Sequence, residues 1–491
     1  MTDKGGDLQK TINYAKIPAI CKELPMDRAN RRMRTTILVI GDIVWLYLAL
    51  FATLQLRYGA VDATLWWEHF GPFTIVFALW LVVFTVSRLY DLSASGGRTD
   101  LGFRLFGALL ASGTIAAAFF YLGHNRLFTL RPQKVLALVL VASFVALYVW
   151  RLLLLTALRS QALSRRVVFV GIQPIIPQLI AELVAKPQLG FTPAAWIKVN
   201  GNAAQNIEIS KFRNIDVPTY HEVTGLPDLC QRHGADLIVS GISPRQHTTL
   251  LKELVACLPL RIDFSDLSTF YERITGKVPV DAIEQVWFLE NLQEGTKRPY
   301  ESIKWITDLA LAAVLLALTL PILPLLYILV RFTSPGPFLF KQTRVGQAGR
   351  KFTAMKIRTM VVDAEKHGPQ WASHNDARVT TVGRFLRQIR LDEIPQLVNV
   401  LRSEMSLIGP RPERPEFIEQ LKQSIPFYEE RLLVKPGLTG WAQVNFPYGA
   451  SVQDALEKLQ YDLFYIKHRS LGLDLSIVLR TIGTMLAHSG R

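Results

Sequence analysis

Two adjacent carboxylates, Asp392 and Glu393, stand in a stretch otherwise rich in arginine, lysine and Gly-Pro turns. Phe340-Lys-Gln-Thr-Arg-Val-Gly346 leads to Lys356-Ile-Arg-Thr-Met360, and Leu391-Asp-Glu-Ile-Pro-Gln-Leu397 follows. Then come Met405-Ser-Leu-Ile-Gly-Pro-Arg-Pro412 and Lys435-Pro-Gly-Leu-Thr-Gly-Trp-Ala-Gln-Val444. Phosphoryl transfer needs such parts: cations to neutralise phosphate oxygens, a metal ligand, and a group that attacks or activates. An aspartate can also attack phosphorus itself, forming an acyl phosphate and splitting one transfer into two steps. Each part has a plainer reading. An Asp-Glu pair commonly marks a solvated helix start, and Asp392, ahead of Pro395 and the apolar Ile394, Leu397, Val398 and Leu401, suits an N-cap. That role is compatible with chemistry, because a helix N-terminus attracts phosphate. Val382, Phe385, Leu386 and Ile389 fall at helical spacing, with Arg384, Arg387 and Arg390 off that face. Such a helix packs on a core with a basic solvated side or, beside a membrane, rests on anionic lipid.

The elements that must hold these residues are of mixed kind. Half of the 491 residues are hydrophobic, yet 19% are charged. A uniformly apolar transporter would carry less charge, and a soluble enzyme would lack long apolar runs. Membrane spans joined to soluble domains are therefore expected. The net charge of +15 points to anionic lipid and phosphorylated substrates rather than nucleic acid, since the basic residues flank apolar segments. Cys21, Cys230 and Cys257 show no paired metal spacing and are too few for a disulfide framework, which suits a reducing compartment. The polar, basic first 34 residues hold no evident cleavable signal.

Apolar runs at residues 35–56, 70–90, 105–123 and 135–158 are each about long enough to span a bilayer as a helix. Basic residues crowd the segment before the first run, and Arg159, Arg165 and Arg166 follow the fourth. The positive-inside bias then puts the N-terminus and everything after about residue 160 in the cytoplasm, against Arg126, Arg131 and Lys134 on the outer side. Arg151, near the end of the fourth run, has a stem long enough to snorkel to the interface. Trp66, Trp67 and Trp80 suit either interfacial anchoring or packing.

From about residue 165 strands and helices alternate. Strands are expected at 167–171, 195–199, 236–240 and 260–264, and helices at 175–185, 226–233 and 248–258, which together imply a parallel α/β sheet. A dinucleotide fold would show Gly-x-Gly-x-x-Gly after its first strand; here Gly171-Ile-Gln-Pro174 lacks the later glycines, so a structural or regulatory module is the plainer reading. A fifth apolar run, 305–330, is interrupted by Pro321 and Pro324 and has basic residues on both flanks. A helix that dips into the membrane and returns satisfies both features; a straight kinked crossing would put all later residues outside.

Taken in order, the motifs resemble those of the bacterial sugar transferase family, the monotopic polyprenyl-phosphate phosphoglycosyl transferases, over about residues 298–491. The whole chain resembles the large members of that group, and Phe270-Tyr-Glu-Arg-Ile-Thr-Gly-Lys-Val-Pro279 resembles their linker. The fold implied is membrane α-helical plus α/β: residues 1–34 a cytoplasmic segment, 35–160 a four-helix transmembrane bundle, 161–266 a degenerate Rossmann-like parallel α/β domain, 267–297 a linker. Residues 298–491 would be a mostly α catalytic domain with a re-entrant helix at 305–330. The resemblance implies that Asp392 is the nucleophile, that Glu393 holds Mg²⁺, that Lys356, Arg358, Arg411 and Arg344 bind phosphate, and that the re-entrant helix breaks at Pro321 and Pro324. It further implies a UDP-hexose donor, a polyprenyl phosphate acceptor and UMP as leaving group, at the bacterial inner membrane, in the first step of exopolysaccharide, capsule or O-antigen synthesis; a homodimer is compatible with it. Leu320, Thr359 and Ser403 depart from the common Ser, Ser and Gly. Two rival classes are a membrane nucleotide-sugar epimerase or dehydratase and a non-catalytic scaffold or regulator of polysaccharide assembly. The first lacks the glycine fingerprint, and its Tyr-x-x-x-Lys spacing, Tyr300 to Lys304, abuts the fifth apolar run; the second has no need of Asp392, Glu393 and Arg411.

Overall fold

The computed structural model describes residues 25–90, 98–123, 133–158, 164–199, 217–244, 247–283, 285–292, 294–362, 376–446 and 451–486, with positions 364, 366 and 449. Cys21, the basic residues before position 25, and Arg126, Arg131 and Arg159 lie outside the described residues. The chain forms two compact units, Met1–Phe77 with Tyr90–Gly102 and Ala116–Leu267, and Ala78–Leu89 with Phe103–Ile115 and Ser268–Arg491.

The four expected apolar runs are helices: α1 (Pro25–Tyr58), α2 (Ala63–Val86), α3 (Arg98–Gly123) and α4 (Gln133–Leu158). Each holds a stretch long and apolar enough to cross a membrane, as does Arg298–Thr333, giving five such helices among the described residues. In the first unit α1 packs along α4. Arg151 does not snorkel. It turns inward, 2% exposed, and meets Asp42 of α1 at 2.5 Å, because a charge on an apolar helix is best neutralised by a partner inside the protein. Trp80 is a packing residue: it is buried, and in the second unit its Nε1 donates to the Ser112 carbonyl at 3.0 Å.

The first unit also contains the α/β region: β1 (Arg165–Val170), α5 (Ile175–Ala185), β2 (Phe191–Ile197), β3 (Thr219–Tyr220), α6 (Leu226–His233), β4 (Leu237–Ser240), α7 (Thr248–Ala256) and β5 (Asp263–Asp266). The sheet is wholly parallel, in the order β3-β2-β1-β4-β5. Val167, Val168, Phe169 and Val170 are all fully buried, as a strand covered on both faces must be. The last strand starts three residues later than the sequence suggested. Leu258–Leu260 forms a tight 3₁₀ turn and Arg261 takes a left-handed φ of 57° before the chain can extend. Between β1 and β4, where doubly wound folds bind dinucleotides, the Gln173 amide donates to the Gly241 carbonyl and bridges the crevice.

The second unit adds α8 (Leu267–Thr275), α9 (Gln285–Asn291), α10 (Arg298–Thr319), α11 (Leu323–Thr333), β6 (Leu339–Val345), β7 (Lys351–Ile357), α12 (Thr381–Gln388), α13 (Gln396–Leu401), β8 (Ser406–Ile408), α14 (Pro415–Ser424), β9 (Gly437–Thr439), α15 (Trp441–Asn445), α16 (Val452–His468) and α17 (Leu471–Leu486). Of residues 267–297, expected as a linker, several are built into its core. Val278, Val280, Ile283 and Leu292 are buried with Leu459, Leu463 and Ile466 of α16. Glu272 is buried against Lys467 at 2.9 Å and His468 at 3.0 Å. A second cluster joins Ala312 of α10 and Leu326 and Val330 of α11 to Phe352, Ile357, Leu386, Ile394, Leu397 and Val400. The fifth apolar run is interrupted at Pro321: Leu320–Ile322 is a 3₁₀ turn between α10 and α11, and Pro324 stands in the first turn of α11. Thr319 donates to the Leu315 and Leu316 carbonyls at 2.8 and 3.1 Å, not to Ala317, whose amide partner Pro321 removes.

Candidate active site

The carboxylate pair lies on a short 3₁₀ turn, Leu391–Glu393, entered through Arg390 in the left-handed region at φ 56°. The N-cap reading of Asp392 fails. The residue capping α13 is Pro395, and no side chain caps that helix, because the 3₁₀ turn carries Asp392 away from its first amides. Freed from capping, the two carboxylates take opposite environments. Glu393 Oε1 accepts from Lys356 Nζ at 2.9 Å and from Arg411 at 2.8 Å, and Arg390 lies 3.6 Å from Oε2. Burial would raise the Glu393 carboxyl, but Lys356, Arg411 and Arg390 more than reverse that and hold it well below the usual carboxylate range. Asp392 is buried, and no described residue donates a hydrogen bond to its carboxylate. Burial first, then the neighbouring Glu393 charge, push its carboxyl up to about 6 against the pull of Lys356, Arg387 and Arg411. One carboxylate is thus neutralised and fixed; the other is buried with no hydrogen-bond donor among the described residues.

Three separate segments supply the cations, and their sequence motifs are the means. Lys356 stands on β7, paired antiparallel with β6. Arg411 follows β8, which pairs parallel with β9. The glycines of the two C-terminal motifs make that pairing sterically accessible. A Cβ on Gly437 would stand 2.1 Å from the Gly409 nitrogen, and one on Gly440 2.2 Å from the Gly409 carbonyl oxygen. The Gly-Pro-Arg-Pro turn and the Pro-Gly-x-x-Gly segment are therefore two halves of one close backbone contact.

Not every expected phosphate ligand joins the dyad. Arg344 stands behind the Arg411 turn, donating to the Pro412 carbonyl at 3.0 Å with Glu413 at 3.6 Å. Arg358 is buried elsewhere, on the Ser334 and Pro335 carbonyls at 2.5 and 2.9 Å, where it ties down the end of α11. The hydroxyl of its chain neighbour Thr359 accepts from Arg387 at 2.8 Å. Ser403 takes φ 59°, the region that favours glycine, and its hydroxyl accepts from Trp305 of α10 at 3.0 Å. Tyr300 and Lys304 both turn to Asp474, at 2.8 and 3.3 Å, which makes them a structural pair rather than an epimerase dyad. Arg387 and Arg390 act on the site although sequence reasoning placed them only on the basic side of a helix. Arg431 and Asp462, discussed below, gave no sequence signal.

Among the described residues no three His, Cys, Asp or Glu side chains converge as a metal cage. Magnesium is commonly held by one or two carboxylates, with water and substrate phosphate oxygens completing its shell. The free oxygens of Asp392 beside Glu393 fit that mode, so the dyad suits an ion that arrives with a diphosphate.

Comparison with known proteins covers the segment that carries this site. The Bacterial sugar transferase family model matches residues 299–488. A UDP-N-acetylgalactosamine-undecaprenyl-phosphate N-acetylgalactosaminephosphotransferase of Aeromonas hydrophila is 41% identical over 48% of this chain and 55% of its own length. A UDP-glucose:undecaprenyl-phosphate glucose-1-phosphate transferase of Escherichia coli is 34% identical over 63% of this chain and 62% of its own length. A protein of the same name from Xanthomonas campestris pv. campestris is 31% identical over 70% of this chain and 71% of its own. The matched region thus spans less than two thirds of the first two relatives.

Proposed function

Because this chain belongs to the bacterial sugar transferase family, we propose that it transfers a sugar-1-phosphate from a UDP-hexose to polyprenyl phosphate, with Asp392 as the nucleophile. The observation that carries this reading is the division of labour in the dyad: Glu393 is occupied by Lys356 and Arg411, while the Asp392 carboxylate has no partner among the described residues. In the first half-reaction an Asp392 oxygen attacks the sugar-bearing phosphorus, the phosphoanhydride bond breaks, and UMP leaves with the electron pair. In the second, a phosphate oxygen of the lipid attacks the same phosphorus. The acyl-phosphate bond breaks, polyprenyl-diphospho-sugar forms and the Asp392 carboxylate is restored. Lys356 and Arg411 neutralise phosphate oxygens as charge shifts to the leaving group. Glu393, with Asp392, would hold Mg²⁺, which lowers the repulsion between the anionic nucleophile and the diphosphate.

The proposal includes a cytoplasmic catalytic unit at the inner membrane, reached by the lipid along a re-entrant helix. Support comes from how both limbs are anchored. At the base of α10, Lys297 donates to the Ile466 carbonyl at 2.9 Å and Tyr300 to Asp474; at the end of α11, Ser334 is held by Arg358. Between them Leu318, Leu320, Ile322 and Leu325 are exposed and apolar, as a tip immersed in lipid would be. The test is UMP release from a panel of UDP-sugars, in detergent with polyprenyl phosphate present. Release with one hexose, together with radiolabelled sugar in the lipid product, is the expected result. No release from any UDP-sugar would overturn the assignment.

A further inference from the structure

We propose that Arg431, fixed by Asp462 and Tyr428, is a positioning residue that aims the Arg411 guanidinium at the phosphate-binding edge of the dyad; this rests on the transferase reading above. Arg411 sits between Pro410 and Pro412. The prolines lock two φ angles and remove two amide donors, so the turn must be held largely through its carbonyls. Those carbonyls are taken in sequence. Pro410 accepts from the Gly437 amide at 2.9 Å, Arg411 from Arg431 at 3.0 Å, Pro412 from Arg344 at 3.0 Å and Glu413 from the Val345 amide at 3.0 Å. The bond to Arg411 itself comes from a side chain the mechanism does not otherwise use.

Arg431 is well placed to act as a rigid strut. It lies in the 3₁₀ segment Tyr428–Leu433 with its side chain 6% exposed. One guanidinium nitrogen reaches both the Arg411 carbonyl and Asp462 Oδ2, the latter at 2.9 Å, and the other donates to the Tyr428 hydroxyl at 2.6 Å. Asp462 comes from α16 and is buried with it. A planar guanidinium with two anchors leaves its remaining hydrogen bond little freedom of direction. The Arg411 side chain, 42% exposed and reaching Glu393 at 2.8 Å, is thus mounted on a buried ion pair behind it. A lysine at 431 could preserve the charge but not the fork.

A double-mutant cycle on the full chain in detergent distinguishes aiming from general support. The readouts are the calorimetric affinity for UMP, kcat and KM for the UDP-sugar, and the melting midpoint, for R411A, R431M and the double variant. R431M is expected to weaken UMP binding and raise KM by about tenfold or more, since a small misplacement of a phosphate ligand is felt strongly. In the R411A background the same change should move UMP affinity by less than about twofold, the ordinary error of additivity. Equal losses in both backgrounds, or unchanged UMP affinity in R431M or in R411A, would overturn the proposal. Should R431M fail to fold, Y428F removes one anchor and leaves the ion pair. It should weaken UMP binding by about threefold with Arg411 present and not without it, and additivity there overturns the proposal equally. A wild-type chain that neither binds UMP nor releases it from any UDP-sugar would fell the transferase reading and this inference together. Additive losses in an active enzyme would fell this inference alone.

Discussion

At the scale of single residues, the site turns on two neighbouring carboxylates made unlike by what surrounds them. Asp392 carries the burial penalty of a charge without a hydrogen-bonded partner, whereas at Glu393 burial is more than offset by Lys356, Arg411 and Arg390. Asp392→Asn should abolish transfer, because the amide keeps the shape but is no anionic nucleophile. It should also stabilise the fold. The Asp392 carboxyl is raised to about 6, so the folded state holds its proton more tightly than the unfolded chain. That contribution to stability is fully present below the unfolded carboxylate range and is lost as pH rises through about 6. At pH 7.5, without divalent metal, the Asn variant is therefore expected to be more stable by on the order of 2 kcal/mol, a gain that vanishes near pH 3.5. Denaturant melts at the two pH values check it; a variant less stable at pH 7.5 would contradict the assigned environment. Activity has the opposite dependence, falling as pH drops and Asp392 is protonated. Glu393→Gln, by contrast, leaves Lys356 and Arg411 facing a neutral amide. It should lose both activity and stability and shift the Mg²⁺ concentration for half-maximal UMP release upward; an unchanged Mg²⁺ dependence would give Glu393 a different role.

At the scale of elements, positions are set by close backbone approaches and one broken helix. β8 and β9 approach so nearly that Gly437 has no room for a side chain. Gly437→Ala forces Gly409, and with it Arg411, to shift. A stability loss of about 1–3 kcal/mol and at least a tenfold drop in kcat/KM are expected, read by melting and by UMP release; a neutral variant would mean that the turn tolerates separation. The break between α10 and α11 has a topological consequence. Arg298 and Lys341 should lie on the same cytoplasmic side of the membrane. Single cysteines at positions 298 and 341, in a cysteine-free background, should resist an impermeant thiol reagent in sealed right-side-out membranes and react once these are opened. Labelling of position 341 alone from outside would mean a full crossing, and the cytoplasmic active site would fall with it.

At the scale of the molecule, the two units divide the work. In the α/β sheet of the first, Gln173 bridges the crevice between β1 and β4, and none of its described residues contacts the dyad, so its removal should leave the chemistry intact. The C-terminal segment of the second begins at Ser268, before the start of the family match at residue 299. A chain starting at residue 268 should release UMP from the donor sugar in detergent. One starting at 298 lacks Val278, Val280, Ile283 and Leu292 of the core and the carboxylate of Glu272. Such deletions leave cavities worth several kcal/mol together, and that shorter chain should aggregate or melt without cooperativity. Equal activity and melting of the two truncations would show that residues 268–297 are a mere tether.

What the sequence determined by itself was whatever depends on local pattern or on a fixed order of motifs. Hydropathy over 20-odd residues marked α1 to α4, because a bilayer imposes that length on any span. Alternating apolar runs marked the parallel sheet, and Pro321 marked the 3₁₀ turn before α11. Asp392, Glu393, Lys356 and Arg411 were singled out by the order of the motifs and the family resemblance it carries. What only the tertiary structure decided was which cation meets which carboxylate. Lys356, Arg390 and Arg411 converge on Glu393 and leave Asp392 free, whereas Arg358, two residues beyond Lys356, is spent on the end of α11. Residues two apart on a strand normally share a face, so alternation would have kept Lys356 and Arg358 together. The strand ends at Ile357, and beyond it the Arg358 side chain is taken by the Ser334 and Pro335 carbonyls. Arg151 found Asp42 across 109 positions, and Arg431 found Asp462 across 31. Pairings of this kind are made by packing between elements, and no spacing along the chain encodes them.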